Sequence, residues 1–172
     1  MRKPTERRTS YWAGVTCVIT VLLALIVQAS EIVEGVNVIM PAWPLMAIFL
    51  WSGLRPHFMP PIAIFAIGLL QDLLADSPMG IWALSYLISI AIFRFRGEDG
   101  MPRDLPPILL RFAGALAVSH IIAFAVGSLA AGQLTDGRSL MIKAIATILM
   151  FPLVAFLAMR RRRGSRSGFI GG

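Results

Sequence analysis

The sequence is poor in the residues on which metal binding and soluble catalysis draw. Cys17 is its single cysteine, so no internal disulfide can form, and its place inside an apolar run says nothing of redox compartment. His57 and His120 are the only histidines, and neither has a second nitrogen or sulfur ligand at a metal-binding spacing. No metal and no cofactor are expected. Charged residues make up only 15% of the chain, and they fall almost wholly in its two ends and in the breaks between apolar runs. No stretch remains that could bury a soluble core of its own. A phosphate-cradling glycine loop, a nucleophile elbow and paired catalytic carboxylates are all missing, so the expectation is a protein that is not an enzyme, with no catalytic residues.

What the chain has in abundance is apolar length: 57% of its 172 residues are hydrophobic and its mean hydropathy is +0.76, far above a soluble globular protein. The fold class read from this is an all-α integral membrane protein, a bundle of six transmembrane helices over residues 11–159. A cytoplasmic N-terminal tail, 1–10, precedes it, and a basic cytoplasmic tail, 160–172, follows. The first helix is expected over Tyr11 to Val27. The same features also spell a signal peptide with a cleavage site at Val27-Gln28-Ala29, although the apolar run exceeds the usual length of such a segment.

Ser30 to Asn37, with Glu31 and Glu34, reads as an extracytoplasmic loop, and Val36 to Leu54 as the second crossing. Pro41 and Pro44 fall near its start, where proline is tolerated, and Trp51 ends it in the interfacial belt. Arg55 to Pro61 holds three prolines besides His57 and is a tight turn. A third crossing runs from Pro61 to about Ala75, and Ser77-Pro78 forms an N-cap and N1 pair for a fourth that ends at Phe93. Beyond the polar connection Arg94 to Asp104, Pro106 or Pro107 opens a fifth helix reaching about Ala131. An outer turn, Gly132 to Ser139, leads to a sixth helix, Leu140 to Met159, stopped by Arg160 to Arg163.

Six crossings put both termini on one side, and the basic residues test that independently. Arg2, Lys3, Arg7, Arg8, Arg55, Arg94, Arg96, Arg103, Arg111 and the tail arginines then gather on the cytoplasmic side, with only Arg138 and Lys143 outside. Cleavage of the first helix would leave the same loops in the same places.

Asp72 stands out, because a carboxylate within a membrane helix costs about 2.5 to 3.5 kcal/mol at the bilayer centre. Two readings stay open: an interfacial aspartate reaching water, and a buried one paired with Lys143, which lies at a matching depth on helix six. His120 reads as a hydrogen-bonded packing residue rather than a proton relay, since no second titratable group stands at its depth. Gly68 and the pairs Ala113-x-x-x-Ala117 and Gly127-x-x-x-Ala131 allow close helix approach and are compatible with a homodimer. The arginine tail lacks a folded module or aromatic platform for nucleic acid. Topology and attraction to anionic membrane lipids account for it better.

The spacing Trp51-x4-Pro56-x11-Gly68-x3-Asp72-x7-Gly80 on consecutive apolar segments resembles the rod shape-determining MreD family, with Met79 where that family has leucine. The resemblance implies a non-enzymatic scaffold subunit of the bacterial cell-wall elongation machinery in the inner membrane. It implies MreC as the bound partner, with MreB, RodA and its transpeptidase in the same assembly. It also implies a helix arrangement similar to the substrate-binding subunit of energy-coupling-factor transporters. The alternative function is therefore a small-ligand or lipid-binding membrane transporter subunit, although few buried polar groups are available to line a pocket. Under the scaffold reading, Trp51, Pro56, Gly68, Asp72, Pro78, Gly80 and Lys143 are the candidate partner or structural site, and Asp72 with the Pro78 to Gly80 turn shapes an outer surface.

Overall fold

The computed structural model describes residues 4–29, 41–95, 101–102, 104–132 and 137–164, with the backbone alone at 4–11, 131 and 161–164. The described residues form six α-helices: α1 (Pro4–Ala29), α2 (Trp43–Leu54), α3 (Pro61–Leu74), α4 (Ile81–Phe93), α5 (Leu105–Ala131) and α6 (Gly137–Gly164). A single 3₁₀ turn, Pro56–Phe58, joins α2 to α3 where the prolines forbid a continuous helix. The expected loop at 30–37, residues 36–40 of the second crossing, most of the polar connection, the middle of the outer turn and the tail from 165 lie outside the described residues.

Helix lengths divide the bundle in two. α1, α5 and α6 contain segments long and apolar enough to cross a membrane, Trp12–Ala29, Leu105–Ala130 and Gly137–Arg160. α2, α3 and α4 have 12, 14 and 13 residues. At 1.5 Å per residue they are roughly 18 to 21 Å long, against a hydrocarbon core of about 30 Å. The outer helices are also longer than the sequence implies. α1 begins at Pro4 rather than Tyr11, and α6 continues through the arginines to Gly164 rather than stopping at Met159. Arginine is a good helix former, so a charge run ends the apolar segment without ending the helix.

The short α2 occupies the centre. Its side chains from Pro44 to Leu50 are buried on every face, together with Ser52 and Gly53, as expected of a helix that is apolar all round and enclosed by others. Phe49 gathers three further rings edge-on: Phe95 after α4 at 5.8 Å, Phe112 of α5 at 5.3 Å and Phe151 of α6 at 5.8 Å. Phe112 and Phe151 stack at 3.6 Å. This cluster brings the C-terminal ends of α2, α4 and α6 to the same end of the bundle as the start of α5. Large apolar side chains cover the outside, among them Leu22, Leu23 and Ile26 of α1, Ile121 and Leu129 of α5, and Ile145 and Leu149 of α6. Such a surface suits lipid rather than water.

α2 starts without a capping side chain of its own. Thr147 of α6 supplies one: the Ala42 amide donates to its Oγ1 at 2.8 Å, and the hydroxyl donates to the Lys143 carbonyl at 2.6 Å. Thr147 is fully buried, so water cannot replace it. Thr147→Val, which keeps the volume but removes the acceptor, should destabilise the purified protein by about 1 to 3 kcal/mol, while Thr147→Ser stays near wild type. Thermal melting in detergent checks this, and equal melting of the valine variant would show that the bond contributes nothing.

Candidate functional site

α3 presents Gly68, Gln71 and Asp72 at spacings of three and four, hence on one face, and that face meets α4. Gly68 permits the approach. A Cβ placed there would lie 2.3 Å from the Ala83 Cα and 2.6 Å from its amide nitrogen. Beside it the Tyr86 hydroxyl donates to Gln71 Oε1 at 2.6 Å, with both residues buried.

One turn further on, the chain leaves α3 through a left-handed residue, Asp76, with φ 50°. The Ser77 amide donates back to the Asp72 carbonyl at 3.1 Å, the six-to-one bond of a Schellman termination. Ser77 therefore closes α3 and is not the N-cap of α4. The N-cap is Gly80, at φ 102°, a conformation open mainly to glycine, and Pro78 lies before the helix, not at N1. The Ser77-Pro78 pair resembles a helix start in sequence, but proline is also common just after a helix end, because it cannot continue the helix.

A glycine N-cap offers no side chain, and Asp72 takes that role from the preceding helix. Its carboxylate is fully buried. Oδ2 accepts from the Gly80 amide at 2.9 Å and the Ala83 amide at 3.5 Å, and Oδ1 accepts from the Trp82 amide at 3.0 Å and the Ser77 hydroxyl at 3.1 Å. The Ile81 amide reaches the Pro78 carbonyl at 3.5 Å. All four amides at the start of α4 thus have acceptors, and a negative group sits at the positive end of the helix dipole. Lys143 is not among the partners of Asp72. The acid neither reaches water nor pairs with Lys143, the two readings the sequence left open; its burial is compensated by backbone amides and the Ser77 hydroxyl.

The structure brings Gly68, Asp72, Pro78 and Gly80 together and sets the other candidates apart. Trp51 is half-buried against the core and its carbonyl accepts the Arg55 amide at 2.9 Å; Pro56 is exposed and its carbonyl accepts the Met59 amide at 3.2 Å. Trp51 thus lies in the last turn of α2, and Pro56 opens the turn that joins α2 to α3. Lys143 lies on α6, one turn before Thr147. His120 packs edge-on to Trp82 at 6.1 Å with Nδ1 at 3.0 Å from the Leu116 carbonyl, the packing role expected of it. Gln71 adjoins the motif and shares its face, a signal available in the sequence. Thr147 had none, since its partner is 105 residues away.

These contacts give a physical reason for the spacing of glycine, aspartate and glycine across two apolar segments. The family model for the rod shape-determining protein MreD matches residues 7–161. This chain belongs to the MreD family. The match spans all six helices, well beyond the two hairpins that carry the motif, and membership implies a role in rod shape determination. No curated protein and no solved structure matches the chain. In this MreD-family protein, the motif residues build a hairpin whose acid has its acceptor sites filled.

Two substitutions test that geometry. Asp72→Asn turns one carboxylate oxygen into a donor facing amide donors, and should cost about 2 to 3 kcal/mol in melting experiments. Gly68→Ala should destabilise by about 1 to 3 kcal/mol, and Ala83→Gly should not rescue it, because the clash is with backbone atoms. Full rescue would place the close approach elsewhere.

Proposed function

We propose that this protein is a non-enzymatic scaffold subunit of the cell-wall elongation complex, which maintains rod shape by binding MreC and, directly or through it, MreB, RodA and the transpeptidase. The observation that carries the reading is the use made of Asp72. A buried acid whose two oxygens serve four donors is a structural element of a rigid hairpin, and a rigid hairpin is what a scaffold presents to partners. The outer surface shaped by Pro78, exposed Met79 and Gly80 belongs to that hairpin. All six helices are read as lying across the bacterial inner membrane, with both termini cytoplasmic. The arginines at the ends of α2, α4 and α6 support that orientation. The short helices fit if their ends, closed by Asp72 and Thr147, stop within or near the apolar slab.

The second reading, a transporter subunit for a small ligand or lipid with the helix arrangement of energy-coupling-factor substrate-binding subunits, is favoured by a different observation. Trp43 Nε1, Ser119 Oγ and His120 Nε2 are buried without a hydrogen-bond partner, and a bound polar molecule could supply one.

Depletion from a rod-shaped host separates the two. The scaffold reading expects rounded cells, and tagged protein should retain MreC through detergent purification. Normal shape with lost uptake of one nutrient would overturn it in favour of the transporter.

A further inference from the structure

The arginine-rich end of the bundle has a feature that topology alone does not require. Arg55 and Arg94 are the C-caps of α2 and α4, Arg111 lies in the second turn of α5, and Arg160 lies in the last part of α6. No ion pair among the described residues involves any of the four. Two are held in place by aromatic rings instead. The Arg111 guanidinium sits 4.9 Å from the ring centre of Phe95, itself buried against Phe49, and the Arg160 guanidinium sits 6.0 Å from that of Phe156. The C-caps each place a cation at the negative end of a helix dipole, which explains Arg55 and Arg94 without a ligand. Arg111 is different. It lies near the start of α5, where the dipole disfavours a cation, yet it is exposed and pre-oriented.

Around these guanidinium groups the surface turns apolar at once. Leu110, the neighbour of Arg111, is 76% exposed, and Phe156 and Leu157, one turn below Arg160, are about half exposed. An occupant must offer anionic oxygen to the guanidinium groups and hydrocarbon to the surface beside them. We propose that Arg111 and Arg160, with Phe95 and Phe156 as their aromatic rests, form a binding collar for the headgroups of anionic phospholipids on the cytoplasmic side. The proposal rests on the orientation read above and not on the scaffold role. Arginine suits the task, because its planar group donates two parallel hydrogen bonds to phosphate while its face lies on a ring. Asp104, the carboxylate described at this end, is exposed and leaves the collar net positive.

The test uses the full chain in neutral detergent, titrated with phosphatidylglycerol or phosphatidylcholine while its melting temperature is followed. Phosphatidylglycerol should stabilise at much lower concentration than phosphatidylcholine, and the difference should shrink as sodium chloride rises from low to high concentration. Each arginine near the surface accounts for about a fivefold change in affinity, so R111Q/R160Q should shift the phosphatidylglycerol midpoint about 25-fold. R138Q, on α6 at the opposite end, should leave it in place. R111K/R160K, which keeps the charge, serves if the glutamine pair does not fold, and should retain most of the salt-sensitive preference while losing part of the affinity.

Equal stabilisation by both lipids, or an unmoved midpoint in R111Q/R160Q, would overturn the collar. Equal stabilisation by glycerol phosphate would assign the site to free phosphate, and by polyglutamate to an acidic polypeptide; either result overturns the lipid assignment. Rounding on depletion is read independently, so loss of the lipid preference with cell shape and MreC retention intact removes the collar alone.

Discussion

The hairpin of α3 and α4 depends on one interaction: the Asp72 carboxylate against the first amides of α4. A helix beginning in apolar surroundings leaves four N–H groups without water, and each one unsatisfied costs several kcal/mol. Gly80 allows the turn but provides no acceptor, so the acceptor has to come from outside the helix. Asp72 provides it because Gly68, one turn earlier, lets the two helices approach until the carboxylate reaches the backbone. Motif glycine, motif acid and turn glycine are thus parts of one solution. The acid is also relieved of its own desolvation penalty, since the helix end that needs an anion supplies the donors an anion needs.

Three other helix starts meet the same requirement by other means. α3 opens after Pro60 with Pro61, and α5 carries Pro106 and Pro107 at its second and third positions, so some of the amides that would lack partners do not exist. α2 takes its acceptor from Thr147 across the bundle. At the arginine-rich end, helices therefore begin with proline and end with arginine. At the opposite end, α2 and α4 begin on a side chain lent by another helix. These arrangements satisfy the backbone at the ends of the short helices and give the two ends of the bundle different chemistry.

Placement of the central helix joins these local devices into a fold. α2 is buried on all sides, and Phe49 binds it to the rings of Phe95, Phe112 and Phe151. Between helices in lipid, where the hydrophobic effect is weak, such dispersion contacts and close backbone approaches supply much of the association.

Much of this was legible in the chain itself: helical class, the breaks at Arg55–Pro61 and Asp76–Gly80, the limits of α3 within a residue, and the motif that marks the family. These properties follow from local chemistry, the removal of amides by proline, the conformational freedom of glycine and the lengths of apolar runs. The tertiary structure alone decided what Asp72 binds, that Ser77 ends one helix instead of starting the next, that Thr147 closes α2, and that α2 is the centre of the bundle. The physical reason is that backbone amides carry no signature in a sequence. An acid invites the search for a basic side chain, yet its partners here are N–H groups that every residue but proline possesses, and only folding determines which of them are left free to meet it.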